Sequence, residues 1–408
     1  MTTKIDALDL PFYAGRDDLE PEANVASLGA VAGDGWLARW SLGYLVTRYD
    51  DVVALLRERS LHQASQLVAG AIGGDTSTLS QLRRESILSA EGETHTRLRR
   101  LVAAPFSPRA VDQLRPFMAT YLEERLARLA PGQARFELEF VSTFSAYPIA
   151  VICHHLGVER GDWDLFSQWA ETTFLIFSSS IKGNEQRVVD ESRAFTRYCV
   201  ELINERRAHP GEDLLSTLIA AEESGDRLST EELVSLVQGI IAAGTDTTRN
   251  QLNTMVALLA RDPHRWRALG DEPVETIVEE SLRYLNPIRF VIRQVAEEFI
   301  YRDVVFPVGT LVAFNLAGVN RDPGHFAEPD ADADTFSPWR ESARQHLTFS
   351  SGIHHCLGAA LARAELQEAL RALRRHWGEV ELTNEVTWKD QRLAVWGAKR
   401  VPLAVTRR

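Results

Sequence analysis

Cys356 is one of three cysteines in a chain of 408 residues, and its neighbours single it out. It stands in the stretch FSSGIHHCLG, residues 349–358, between Gly352 and a run, LGAALARAE, rich in helix formers. A thiolate at the start of a helix meets free N–H groups and the positive end of the dipole. Gly352, Gly358, Ala359 and Ala360 carry almost no side chain, so a large flat group could approach the backbone closely. A lone cysteine by itself is more often a small buried hydrophobe than a ligand. The flanking residues point instead to a thiolate offered to a bulky cofactor, as an axial cysteine is to a haem.

A second chemical signal lies mid-chain. Ser229–Glu232 reads as a capping box, and it opens a long run with apolar residues on nearly every face. In the middle of that run stand Ala243, Gly244, Thr245, Asp246, Thr247 and Thr248. Glycine and consecutive hydroxyl residues disfavour a helix interior, and the pattern alone fits a tolerated kink. A hydroxyl and a carboxylate on one turn are also what proton delivery needs. Two spaced pairs complete the set. Glu280 and Arg283 are three apart, and His95 and Arg99 four apart, each on a predicted helix.

The cysteine segment resembles the haem-binding loop of the cytochrome P-450 family, F-x-x-G-x-H-x-C-x-G, at Phe349, Gly352, His354, Cys356 and Gly358. Ser350 departs from the family's usual glycine. The resemblance implies that Cys356 ligates the iron of haem b (iron protoporphyrin IX). Residues 243–247 resemble the family's A-G-x-D-T segment. By that likeness Thr247 hydrogen-bonds the reduced oxygen species, Asp246 helps relay protons, and Ala243 and Gly244 leave room over the haem. Glu280 and Arg283 match the E-x-x-R motif, with Arg340 as the third, structural member. His95, Arg99, Arg293 and His354 match the family's propionate partners, although the usual D-P-P-E-H lead-in to His95 is E-G-E-T-H here. The likeness runs from about residue 49 to the C-terminus; residues 1–40 are the least diagnostic.

The elements that must position these residues are mostly helical. Helices are expected at 50–57, 93–102, 108–129, 141–156, 191–207, 231–260, 274–285 and 357–376. Strands are expected at 43–47, 290–295 with 299–305, 310–315 and within 380–405. That is a mostly α protein with small β-sheets. The resemblance implies the cytochrome P-450 fold, with the haem between a long central helix and the cysteine loop, in a single domain spanning 1–408. No Pro/Gly/Ser tract, charge block or repeat divides the chain.

Charge and composition exclude other classes. The net charge of −12, from 57 acidic and 45 basic residues, disfavours nucleic acid and anionic membranes as partners. The acidic N-terminus reads as neither signal peptide nor membrane anchor, and three cysteines give no disulfide framework. A cytoplasmic protein is expected.

The expected activity is that of a haem-thiolate monooxygenase: dioxygen is activated with two external electrons and one oxygen atom goes into a mainly hydrophobic small molecule. No flavin or iron–sulfur motif is present, so a ferredoxin and its reductase are the expected electron donors. Arg100, Arg109 and Arg344 flank the haem-side motifs and are candidates for ferredoxin docking. Two alternatives are a peroxide-driven enzyme of the same fold and a non-catalytic haem-binding partner. Intact Asp246 and Thr247 argue against both. The expected pocket is walled by segments 67–87, 174–180, 240–247, 288–292 and 394–396. Its candidate contacts are Val68, Ile87, Phe174 and Ile240, then Ile288, Phe290, Val291 and Val395, with Ser178 or Ser179 as polar groups. The glycines of 70–74 would let the first loop open.

Overall fold

The structure is a computed structural model that describes residues 2–15, 19–31, 33, 35–64, 78, 81, 86–175, 181, 183–223, 228–270, 273–390 and 395–408. It falls into two compact units. The first comprises Met1–Ser65, Asp271–Cys356 and Asp390–Gly397, and the second Gln66–Gly270, Leu357–Lys389 and Ala398–Arg408.

The first unit is built on a mixed sheet. Its strands are β1 Phe12–Tyr13, β2 Leu37–Trp40, β3 Gly43–Val46, β4 Leu61–Gln63, β5 Phe290–Val295 and β6 Leu311–Asn315, in the order β1-β2-β3-β6-β5-β4. β6 runs parallel to β3 and antiparallel to β5. Alternate residues therefore serve opposite faces. Val46, Val312 and Phe314 join Val52, Leu55 and Phe306 in one buried cluster, while Leu45 and Ala313 join Leu28 and Ala38 in another.

The second unit is helical. Its site-bearing helices are α1 Gly92–Ala103, α2 Tyr147–Leu156, α3 Trp163–Leu175, α4 Glu185–Ala208 and α5 Thr230–Ala260. α6 Val274–Tyr284 belongs to the first unit, and α7 Ala359–His376 to the second. The capping box at Ser229 is present in full, with Ser229 Oγ accepting from Glu232 N–H and Glu232 returning the bond. The long α5 is then held by burial along most of its length, without a break at Gly244. Strands Trp377–Leu382, Pro402–Arg407 and Arg135–Glu139 form a small sheet in the same unit.

The mostly helical class with small sheets is as expected, but two expected helices are each split. The 108–129 segment is Pro108–Asp112 followed by Arg115–Ala127, and 141–156 is Phe140–Phe144 followed by α2. In both cases a proline, Pro116 or Pro148, sits at the first turn of the second helix. A proline there lacks the N–H that would have continued the first helix. Helices Pro21–Ala30, α3 and Leu214–Glu223 were not expected.

Candidate functional site

In the first unit, the cysteine loop is shaped by its own backbone. Cys356 N–H donates to Phe349 O at 2.8 Å, closing the loop on itself. Ser350 and Gly352 both have left-handed φ, 60° and 71°. A Cβ on Gly352 would lie 2.4 Å from Leu56 O, so glycine is required there both by conformation and by contact. The Cys356 side chain is exposed, just before the start of α7. A Cβ built on Gly358 meets nothing within 4 Å.

Behind the loop lies a fully buried charge network. Arg283 grips Glu280 with two bonds, Nε–Oε2 at 2.6 Å and Nη2–Oε1 at 2.8 Å. Arg340 Nε lies 3.4 Å from the same carboxylate, and Ser337 N–H donates to it at 2.8 Å. Arg283 also donates to the carbonyls of Asn320, Ala333 and Thr335, and Arg340 to those of Phe326, Ala331, Asp332 and Thr335. Such a group tolerates burial only because nearly every polar atom is satisfied.

Arg293 is also buried, and Nη1 bonds Gln63 on the neighbouring β4. Among the residues expected to wall a pocket, Phe290 and Val291 pack on opposite faces of β5. Phe290 joins the Leu45–Ala313 cluster and Val291 the Val312–Phe314 cluster. Period-two alternation sends neighbouring side chains to opposite sides, so one strand face cannot present both. Ile288 is half-buried and Val395 buried.

In the second unit, α5 is mostly buried and carries a partly exposed strip. Ile240, Ala243, Gly244 and Thr247, at i, i+3, i+4 and i+7, stay partly exposed while Ile241, Ala242, Thr245 and Thr248 are buried. Thr247 Oγ donates to Ala243 O at 2.7 Å. The crowded neighbour of Gly244 is α2: a Cβ there would come 2.7 Å from Ile152 Cδ1. Within this unit, the Ile152 side chain lies close against the glycine. Asp246 faces cations, with Arg249 Nη1 at 3.5 Å and Lys389 Nζ at 3.9 Å. Arg249 is itself buried and bonds Ser145 O, Glu171 Oε1 and, through Nη2, Ser167 Oγ. His95 and Arg99 lie on one face of α1, both half-buried. Ile87 N–H donates to Ser235 Oγ at 3.1 Å, tying that segment to α5. Phe174 falls in the last turn of α3. Val68, the 70–74 glycines, Ser178 and Ser179 lie outside the described residues.

The family description Cytochrome P450 matches residues 160–392. Cytochrome P450 107B1 of Saccharopolyspora erythraea is 33% identical over 373 residues, covering 88% of each chain. The chain belongs to the cytochrome P-450 family. It is a cytochrome P-450 monooxygenase. Mycinamicin IV hydroxylase/epoxidase of Micromonospora griseorubida is 33% identical over 336 residues, or 81% of each chain. The solved structure of the cytochrome P-450 PksS of the Bacillus subtilis bacillaene polyketide synthase superposes with a TM-score of 0.82 at 28% identity, over 95% of this chain and 97% of that one.

Cytochromes P-450 carry haem, and the residues of this chain fit one. Of the three cysteines, only Cys356 is accessible; burial pushes the Cys153 and Cys199 thiols well above their ordinary range. The space at Gly358 would admit a flat ring against the backbone. Arg99 is a half-buried guanidinium with no hydrogen-bond or ion-pair partner among the described residues, as a propionate-binding cation requires.

Sequence reasoning missed Arg249, Lys389 and Glu171 around Asp246. The i, i+3 spacing of Asp246 and Arg249 was visible; the contribution of Lys389, 143 residues away, was not. Glu365 was also missed. It is a fully buried carboxyl on α7 whose oxygens have no hydrogen-bond partner, and burial pushes its pKa well above the usual carboxylate range.

Proposed function

We propose that this cytochrome P-450 binds haem b with Cys356 as the iron ligand. It takes two electrons from a ferredoxin and its reductase, and hydroxylates a mainly hydrophobic small molecule. The observation that carries the reading is the single accessible cysteine, held by the Phe349 carbonyl between Gly352 and Gly358 at the start of a helix. When bound, the haem supplies the redox chemistry that activates dioxygen. The residues of the chain divide the remaining tasks. Cys356 would anchor the group and donate electron density to it. Arg99, His95, Arg293 and His354 would hold its propionates, as the family resemblance implies. Thr247 positions a hydrogen bond on the exposed strip of α5, and Asp246 feeds protons to it from a carboxylate flanked by Arg249 and Lys389.

The chain acts as one domain over 1–408 in this reading, and works in the cytoplasm. Three free cysteines and the lack, among the described residues, of any helix long and apolar enough to cross a membrane support that placement. A hydrophobic substrate is supported by Ile240 and Ala243 on the α5 strip. The name of the mycinamicin relative, and the polyketide synthase that PksS belongs to, point the same way.

Reconstitution with a ferredoxin, its reductase and isotopically labelled dioxygen tests the proposal. Product should carry one labelled atom, and the yield should exceed that with peroxide alone. Faster turnover with peroxide would overturn the external-electron reading. The exposed side chains of Arg100, Arg109 and Arg344 offer the cations for ferredoxin docking. Electron transfer should therefore slow as salt rises, and a rate indifferent to salt would contradict that role.

A further inference from the structure

Adjacent glutamates on α6 divide two tasks. Glu280 serves the Arg283–Arg340 network already described. Glu279 reaches a different part of the same unit: its Oε2 lies 3.2 Å from Nε2 of His346, and both side chains are buried. His346 Nδ1 accepts the N–H of Thr348 at 3.2 Å. An imidazole nitrogen that accepts carries no proton, so the ring proton sits on Nε2, which faces the carboxylate at 3.2 Å but outside hydrogen-bond geometry. The other side of the ring meets Phe349, with centroids 5.5 Å apart and planes at 46°. Phe349 is the residue whose carbonyl receives the Cys356 N–H.

Leu347 and Thr348, before Phe349, are pinned as well. Leu347 N–H donates to Asn320 Oδ1 at 2.7 Å. Thr348 Oγ1 donates to Leu282 O at 2.7 Å, one helical turn from Glu279. The 346–349 segment is thus laid along α6, with the buried imidazole of His346 facing Glu279.

We propose that Glu279 and His346 form a brace that sets the pose of Phe349 and through it the direction of the Cys356 thiolate. Both are positioning residues, acting through Phe349 and not on the ligand directly. The inference rests on the haem-thiolate reading above. A partner that fixes the orientation of a ligand-bearing element acts on ligation more than on folding.

The test uses three variants of the haem-loaded protein. Glu279→Gln removes the charge at constant volume. His346→Asn keeps an acceptor for Thr348 N–H but loses the arm to Glu279. His346→Gln keeps a donor towards Glu279. Each is reduced under carbon monoxide, and the loss of the red-shifted Soret band of thiolate ligation is followed with time. Glu279→Gln and His346→Asn should lose the band about tenfold faster than wild type, the scale on which outer-shell partners affect ligation. His346→Gln should stay near wild type. A control, Ser342→Ala, cuts the Ser342–Glu328 bond nearby, made at 2.6 Å. It should lower the melting temperature without hastening the loss. If one substitution at Glu279 fails to give folded protein, the two His346 variants read the same arm. The brace is overturned if Glu279→Gln and His346→Asn hold the band as wild type does. It is equally overturned if His346→Gln is as labile as His346→Asn, or if Ser342→Ala is as labile as Glu279→Gln. A wild-type protein without the band overturns the haem-thiolate reading, and this inference with it.

Discussion

At the scale of single residues, Thr247 and Glu365 carry the sharpest expectations. The Thr247 hydroxyl now donates back to Ala243 O, so it can turn away from its own helix only by giving up that bond. Thr247→Ala should still bind haem and substrate, yet product formed per electron should fall about tenfold or more, with hydrogen peroxide in its place. Thr247→Ser should recover most of the loss. Equal coupling in the alanine variant and wild type would remove the hydroxyl from the chemistry. Glu365 concerns stability. Its folded-state pKa is raised by burial alone, so the folded protein holds a proton that the unfolded chain releases above the ordinary carboxylate range of about 4.3. Its contribution to stability is intact below that pH and declines as pH rises towards the folded-state value. Glu365→Met should therefore melt higher than wild type at neutral pH, with a gap that narrows towards pH 4 to 5. A gap independent of pH, measured by thermal unfolding across that range, would show that burial does not raise the carboxyl's pKa in the fold. The resemblance made Cys356, Thr247 and Glu280 legible because each sits in a run of specified neighbours. Glu365, Glu279 and Arg249 were not, because burial and the identity of a distant partner leave no mark on local sequence.

At the scale of elements, glycine chemistry separates fold from cofactor. Gly352 needs both its left-handed φ and the space taken by Leu56 O. Gly358 has ordinary backbone angles, φ −81° and ψ 10°, and open space where a Cβ would stand. Gly352→Ala should destabilise the protein by about 2 kcal/mol or more, the left-handed penalty plus the overlap. Gly358→Ala should leave the melting temperature of the haem-free protein unchanged and weaken haem uptake. Two variants that behave alike in both measurements would contradict this division. The long α5 and the strand pattern of β5 and β6 were readable from capping and alternation. The splits before Pro116 and Pro148 were readable too, had each proline been weighed as the first turn of a new helix. What periodicity does not carry is which face of β5 packs where: Phe290 and Val291 pack against different clusters.

At the scale of the whole molecule, the proposed chemistry turns on one bond. The proposed function makes Cys356 the iron ligand, an exposed cysteine just before a helix with its N–H on the Phe349 carbonyl. The most direct measurement is the absorption spectrum of the reduced protein under carbon monoxide, for wild type and Cys356→Ser, with Cys153→Ser as the control. Wild type and Cys153→Ser should show the strongly red-shifted Soret band of thiolate ligation, and Cys356→Ser should lack it. A Cys356→Ser protein that keeps the band would contradict the account.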